Sequence, residues 1–429
     1  MAITVELSVN GTTEPGGRYV GWTPAPATLR VLDADGAAAP IRVTLGNRTG
    51  AGGKLVFRLE RKDASLDQLD LDLAVHGTPS EFFVAGRFGS SSVADGDAPL
   101  MVRSAVAAGP ELGSFPMMVR IRKDANQLGT AERDRFLSAL ARLNNQGQGI
   151  FQSFRNIHRD STSPEAHGRH GFLPWHRAFM LDLERELQRL DRSVTLPYWR
   201  FDRPAPQLFT PDFLGATDPG SGVASFAPAN PLRLWRTDGQ LGIARRPLFD
   251  TQNSPAHDDN GQGVLTEVQT VALGTTFAQL VGPLESNPHG TAHTSFGGVV
   301  SAIDTAARDP LFFLLHCNVD RLWAIWQRRR GRFDTQSPLT YRFQGSSTSP
   351  GATRIGHNLL DTMWPWNNVR VRPRPPTAPR TPFPDAPATT ASPGNEPTVR
   401  SMIDFQGHAD VVARLGFDYD DVPFEAPNP

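Results

Sequence analysis

The hydrophobic period of this chain changes once, near Pro116, and that change constrains its fold more than any other feature. Before it, residues 3–9 (ITVELSV) and 41–45 (IRVTL) alternate strictly between apolar and polar positions. Residues 28–32, 55–59, 71–75, 81–84 and 101–103 form further short apolar runs, and clusters of Gly, Asn and Asp separate them. Period two sends successive side chains to opposite faces, as a half-buried strand requires. About seven such strands at this spacing predict an accessory, immunoglobulin-like β-sandwich over residues 1–108. No chemical constellation lies in it, and its one histidine, His76, reads as structural.

Beyond Pro116 the period becomes helical. After a Thr130 cap, AERDRFLSALARL places Phe136, Leu137, Leu140 and Leu143 on one face. A second helix is expected from about Trp175 through FMLDLERELQRL. A third is expected from about Asp309 to the arginines 328–330, where positive charge suits a helix C-terminus. Long loops rich in Gly and Pro separate them, so residues 115–370 read as a mainly α-helical domain. Residues 371–398, with RPRPPTAPRTPFPDAP, read as a Pro-rich linker. Residues 399–429 regain apolar side chains and are expected to pack back on the body. The predicted class is multidomain α+β, in keeping with 429 residues, too many for one ordinary core.

Composition removes several function classes. A net charge of -1, with the arginine run 328–330 assigned to a helix end, argues against nucleic acid and acidic membrane surfaces. No stretch approaches the roughly 20 apolar residues of a membrane span. The opening MAITVELSVNG lacks a basic start followed by an apolar run, and the single cysteine, Cys317, makes no internal disulfide. A cytoplasmic protein is therefore expected.

The histidines carry the chemistry. Of eleven, His158, His167 and His176 fall within 19 residues, and His289, His293 and His316 within 28. His289 and His293 stand at i, i+4, which puts both rings on one helical face. His316 interrupts the apolar run LFFLLHCNVDRLW, where an unmatched polar group would cost roughly 1–3 kcal/mol. Two all-nitrogen clusters without a cysteine pair argue against structural zinc and allow copper, iron or nickel. Spacing alone yields one or two histidine-rich metal sites and leaves the metal open. His257, His357 and His408 read as structural.

Five segments, in order, resemble the tyrosinase, catechol oxidase and hemocyanin superfamily of binuclear (type 3) copper proteins. They are MVRIRKDANQLGTAERDRFLSAL from Met118, His167 to His176 enclosing FLPW, LPYWRFD at 196–202, DPLFFLLHCNVDRLWAIW at 309–326 and DYDD at 418–421. The resemblance covers roughly residues 116–370. It implies a four-helix bundle holding two copper ions, the first bound by His158, His167 and His176 and the second by His289, His293 and His316. His170 competes with His158 as a ligand but sits on a short loop between two motif histidines. The implied activity is oxidation of o-diphenols to o-quinones by dioxygen, with weaker ortho-hydroxylation of monophenols. Hemocyanin-like dioxygen binding without turnover is one alternative, and a specialised oxidase of o-aminophenols or biosynthetic intermediates is another.

The same resemblance singles out finer positions. Glu285, in ESNPH, matches a glutamate that holds a water and accepts the phenol proton. Gly290 stands where strong monophenolases carry an Asn that orients that water, so catechol oxidation is expected to outpace hydroxylation. Phe296 and Ile303 are expected on the substrate rim. Asp320 and Arg321 are expected to form a structural ion pair that fixes the last helix. Cys317 is expected to be buried packing, and Leu315 replaces a second histidine of many relatives.

Overall fold

In a computed structural model, residues 3–34, 36–37, 39–75, 77–106, 109–159, 165–168, 170–218, 220–349, 355–369 and 382–425 are described. His76 lies outside them, as does most of the proline-dense half of the expected linker. The chain divides into two compact units. One comprises the described residues within 1–121, 386–391 and 414–429, and the other those within 122–385 and 392–413.

The first unit is built of strands, because its apolar residues alternate. Each of the seven apolar runs overlaps a strand, and Glu111–Phe115 adds an eighth long strand. One four-stranded antiparallel sheet runs Thr4–Val9, Ala25–Asp33, Ser80–Gly86, Leu55–Arg58. The other runs Leu69–Leu73, Ile41–Asn47, Leu100–Ser104, Glu111–Phe115. Alternation is carried through to packing: Ala25, Ala27, Leu29 and Val31 turn inward, and so do Leu69, Leu71 and Leu73. They join Val43, Leu45, Phe57, Val84 and Val102 in a single apolar core. The chain's end contributes as well. Phe424 enters this core, Trp22 Nε1 donates to the Tyr419 carbonyl at 2.8 Å, and Asp418 accepts from the backbone and hydroxyl of Thr23 at 3.0 Å each. Of the segment expected to pack back on the body, residues 399–413 belong to the helical unit and 414–425 to the strand unit.

The second unit carries eight α-helical segments: α1 (Thr130–Asn144), α2 (Phe151–Ile157), α3 (Phe172–Leu190), α4 (Glu267–Val271), α5 (Phe277–Leu284), α6 (Thr291–Thr294), α7 (Ile303–Ala306) and α8 (Leu311–Arg330). The first helix begins at Thr130 itself, with Gly129 capping it and Glu132 accepting from the Gly129 N–H. That is a one-residue difference from the expected cap. The long helices α3 and α8 pack on each other, and α3 also packs on α1. Both lie buried along most of their length, and their buried faces carry charged residues (Arg177, Asp182 and Glu184 on α3, Asp320 and Arg321 on α8) as well as apolar ones. Helix α8 stops at Gly331 in the left-handed conformation, after its three arginines. No helix among the described residues is long and apolar enough to cross a membrane.

Candidate metal centre

The six histidines come from six places in the chain. His158 caps the C-terminus of α2, and His167 lies in the loop beyond it. His176 and His316 project from the buried helices α3 and α8. His289 and His293 are not on one long helix. Asn287 leaves the helical conformation (φ -141°, ψ 122°), so α5 breaks into a wide turn, Glu285–Gly290, that runs into the single turn of α6. The i, i+4 relation survives this break, and the two rings stand 4.7 Å apart.

These positions converge into two triads. Within His158, His167 and His176, and separately within His289, His293 and His316, one ring nitrogen from each member lies within 4.8 Å of the others. The triads adjoin: His176 and His316 stack with centroids 4.1 Å apart and planes 9° apart, joining α3 to α8.

Backbone carbonyls orient the rings. His158 Nδ1 donates to Ile303 O at 3.1 Å, His176 Nδ1 to Phe172 O at 2.9 Å, His289 Nδ1 to Glu285 O at 2.8 Å and His293 Nδ1 to Val300 O at 2.7 Å. A proton held on Nδ1 leaves the Nε2 lone pair for a metal. Nε2 of His158, His176 and His289 is buried without a hydrogen-bond partner, as are Nδ1 of His167 and Nδ1 of His316. His293 Nε2 and His316 Nε2 face each other at 3.2 Å, a separation that two ligands of one ion at about 2 Å each allow. Burial also keeps the rings neutral. It holds His158, His176, His289 and His316 well below the ordinary imidazole value and brings His167 and His293 down to about 4; the neighbouring histidines lower all of these further except His293. Neutral rings, unpartnered buried nitrogens and fixed tautomers are what an imidazole-bound metal pair requires.

Two aromatic rings that sequence reasoning passed over line the centre. Phe172 lies 4.7 Å from His176 and 4.8 Å from His289, and Phe312 lies 4.5 Å from His158 and 4.3 Å from His316. Each stands four residues before a helical ligand, and that spacing was the available signal.

The remaining expectations fare differently. Glu285 lies at the centre's edge. Its carboxylate accepts the Gly168 N–H at 2.6 Å beside His167, and burial pushes it up to about 7 against that hydrogen bond. With Gly168, His170, Ala278, Val281, Gly282 and Ser286 it lines a groove of about 430 Å³. The His170 ring packs on Phe343 at 4.2 Å, outside both triads. Gly290 is helical, and a Cβ there would meet only Glu285 O at 3.4 Å, so a side chain is sterically admissible. Phe296 is not on an exposed rim. It is 1% exposed, packed 5.5–5.6 Å from Trp199, Phe209 and Phe249, because its strand pairs with Arg245–Pro247 and turns the ring into the core. The Ile303 side chain is 46% exposed, while its carbonyl holds His158.

Asp320 and Arg321 bind in different directions, since neighbours on a helix point about 100° apart. Asp320 takes Arg177 at 2.5 Å and Arg122 at 3.4 Å, whereas Arg321 takes Glu267 at 2.5 Å. Arg177 and Arg122 were not foreseen, because nothing local marks a distant counter-charge. Cys317 is buried, with Leu196 O 3.5 Å from its sulfur, and Leu315 is buried apolar packing.

The family model for the common central domain of tyrosinase matches residues 148–329. The tyrosinase of Streptomyces glaucescens is 32% identical over 273 residues, covering 58% of this chain and 93% of that protein. The chain belongs to the tyrosinase family. Family members of other names also match. Grixazone synthase of Streptomyces griseus subsp. griseus is 28% identical over 267 residues, 49% of this chain and 85% of that protein. A G-type hemocyanin of Enteroctopus dofleini is 28% identical over 270 residues, 56% of this chain and 9% of that protein. As a tyrosinase-family chain it is an oxidoreductase of the tyrosinase type, and its two histidine triads suit a pair of copper ions.

Proposed function

We propose that the protein oxidises o-diphenols to o-quinones with dioxygen and hydroxylates monophenols only weakly. His158, His167 and His176 hold one copper in this reading, and His289, His293 and His316 the other. A copper pair bound by these six histidines would supply the electron transfer between substrate and dioxygen, with two catechols oxidised for each dioxygen reduced to water. The chain's own groups orient and desolvate. Carbonyls of residues 172, 285, 300 and 303 fix four imidazoles, and Phe172 and Phe312 keep the surroundings apolar. A catechol needs little help in losing its protons, but a monophenol must be deprotonated and placed for attack at its ortho carbon. Glu285 is the carboxylate available to accept that proton, through a water.

Gly290 is the observation that carries the reading. It follows His289 directly and offers no side chain to orient such a water. Copper-loaded protein should therefore turn catechols into coloured quinone at least about tenfold faster than the matching monophenols. Gly290→Asn, which the backbone accommodates, should raise monophenol turnover selectively. Equal initial rates on tyramine and dopamine in the wild type would refute the reading, and absence of quinone from any catechol would favour dioxygen binding without turnover.

The same proposal treats the strand unit as an accessory immunoglobulin-like β-sandwich and the helical unit as a four-helix bundle around the metals. Two four-stranded sheets sharing one core support the first. Their edge strands Leu55–Arg58 and Leu69–Leu73 are exchanged in chain order relative to the usual layout. A cytoplasmic location belongs to the same reading.

A further inference from the structure

Two histidines of the first triad, and the neighbour of the third, lean on residues from the segment that builds the second triad. His176 stacks on His316. Gly168, next to His167, donates to the Glu285 carboxylate, and the carbonyl of Glu285 accepts from His289. The closest join is the stretch 298–305. Here Val300 O holds His293 of one triad, and Ile303 O, three residues on, holds His158 of the other.

This stretch is a tied loop. Gly298 opens it at φ 109°, where a Cβ would stand 2.2 Å from Ala244 O, so the loop enters against the neighbouring strand in a way open only to glycine. The Val299 N–H then donates to Ala244 O at 2.9 Å. Ser301 Oγ donates to Gly298 O at 2.8 Å, and Thr305 Oγ1 reaches back six residues to Val299 O at 2.7 Å. The Thr305 hydroxyl thus closes the loop around both ligand-holding carbonyls through hydrogen bonds to the backbone carbonyls of residues 299 and 302.

We propose that residues 298–305 are a positioning loop, latched by Thr305, that sets His158 and His293 together and makes the two copper sites gain or lose affinity as a pair. The proposal rests on the ligand assignment above. Its physical basis is that a carbonyl partner fixes the plane and tautomer of a ligand ring, and losing such a partner typically weakens metal binding by about 10–100-fold. A disturbance at one ligand affects one ion. A disturbance of this loop moves two carbonyls and reaches one ligand of each.

The test is competition for copper(I) between the purified full-length protein and a chromogenic chelator. Wild-type protein holding about two coppers per chain checks the ligand assignment by itself; markedly fewer would overturn that assignment and the loop's role with it. Thr305→Val keeps the side-chain shape and removes the latch. Both coppers should then weaken together by about tenfold or more, with the unfolding midpoint of the copper-free chain unchanged and Thr305→Ser restoring affinity. Ser301→Ala should act in the same direction and more mildly, and it carries the test if Thr305→Val does not fold. Wild-type affinity for both ions in these variants, or weakening of one ion alone, would refute the coupling.

Discussion

At the scale of single residues, imidazoles are placed where their neutral form has no other use. His316 sits in a run of Leu, Phe and Cys, and the unpartnered ring nitrogens around it would be a standing cost unless something coordinates them. Spacing marked two histidine clusters and the i, i+4 pair His289 and His293, whereas the set of six ligands came from the resemblance to the family's motifs. His158 could be read only as a helix end. Glu285 divides two roles that a single substitution separates. Glu285→Gln keeps an oxygen that can accept the Gly168 N–H but removes the proton acceptor. Diphenol oxidation should be retained, while monophenol hydroxylation falls by about a hundredfold, measured as initial rates on a matched phenol and catechol. If both rates fall equally, the carboxylate serves the loop and not the proton. Phe296 shows the limit of position-by-position transfer: its place beyond the second-site histidines was legible, but its burial depended on a strand partner fifty residues earlier.

Among elements, α3 and α8 decide the centre, since each delivers a helical ligand and their packing stacks His176 on His316. A buried charge cluster locks their relative position. Arg177 of α3 binds Asp320 of α8 and lies 3.7 Å over the Trp323 ring, while Arg122 joins Asp320 to Glu184 of α3. Asp320→Ala would remove the carboxylate that Arg177 binds, while Arg122 would keep Glu184. It should lower the stability of the copper-free chain by about 3–5 kcal/mol, read from the denaturation midpoint. A loss under about 1 kcal/mol would mean that the cluster is locally replaceable. The three long helices α1, α3 and α8 were legible from their 3.6 period, and the short helices between them were not. The break after α5 was not, because α5 tolerates Pro283 and the chain leaves helical geometry only at Asn287.

For the whole molecule, the six clustered histidine rings set the dependence on pH. Unfolded imidazoles take up protons below about 6.5, whereas in the folded copper-free chain burial holds His167 and His293 down to about 4 and holds the other four well below the ordinary imidazole value. Between those values the unfolded chain binds more protons, so stability falls as pH drops from about 6.5 toward about 4. Glu285 acts in the opposite sense. Its carboxyl is raised from 4.5 to about 7, so its contribution is present at low pH and lost as pH rises through that range. Six rings outweigh one carboxyl, and the net profile should rise from acid to neutral. Urea unfolding of the copper-free protein between pH 4.5 and 7.5 measures it; a flat or falling profile would sink the argument.

Sequence by itself determined the kinds of element, the change from strands to helices near Pro116 and the identity of the clustered histidines. Those properties follow from local periodicity and side-chain chemistry. Tertiary structure alone decided that the C-terminal stretch serves both units, that Arg122 and Arg177 neutralise Asp320, and that carbonyls of one loop hold a histidine from each triad. Every residue has a carbonyl, so no side-chain pattern can mark the two that orient a ligand. Their selection appears only when segments some 140 residues apart, at His158 and Ile303, come within hydrogen-bonding distance.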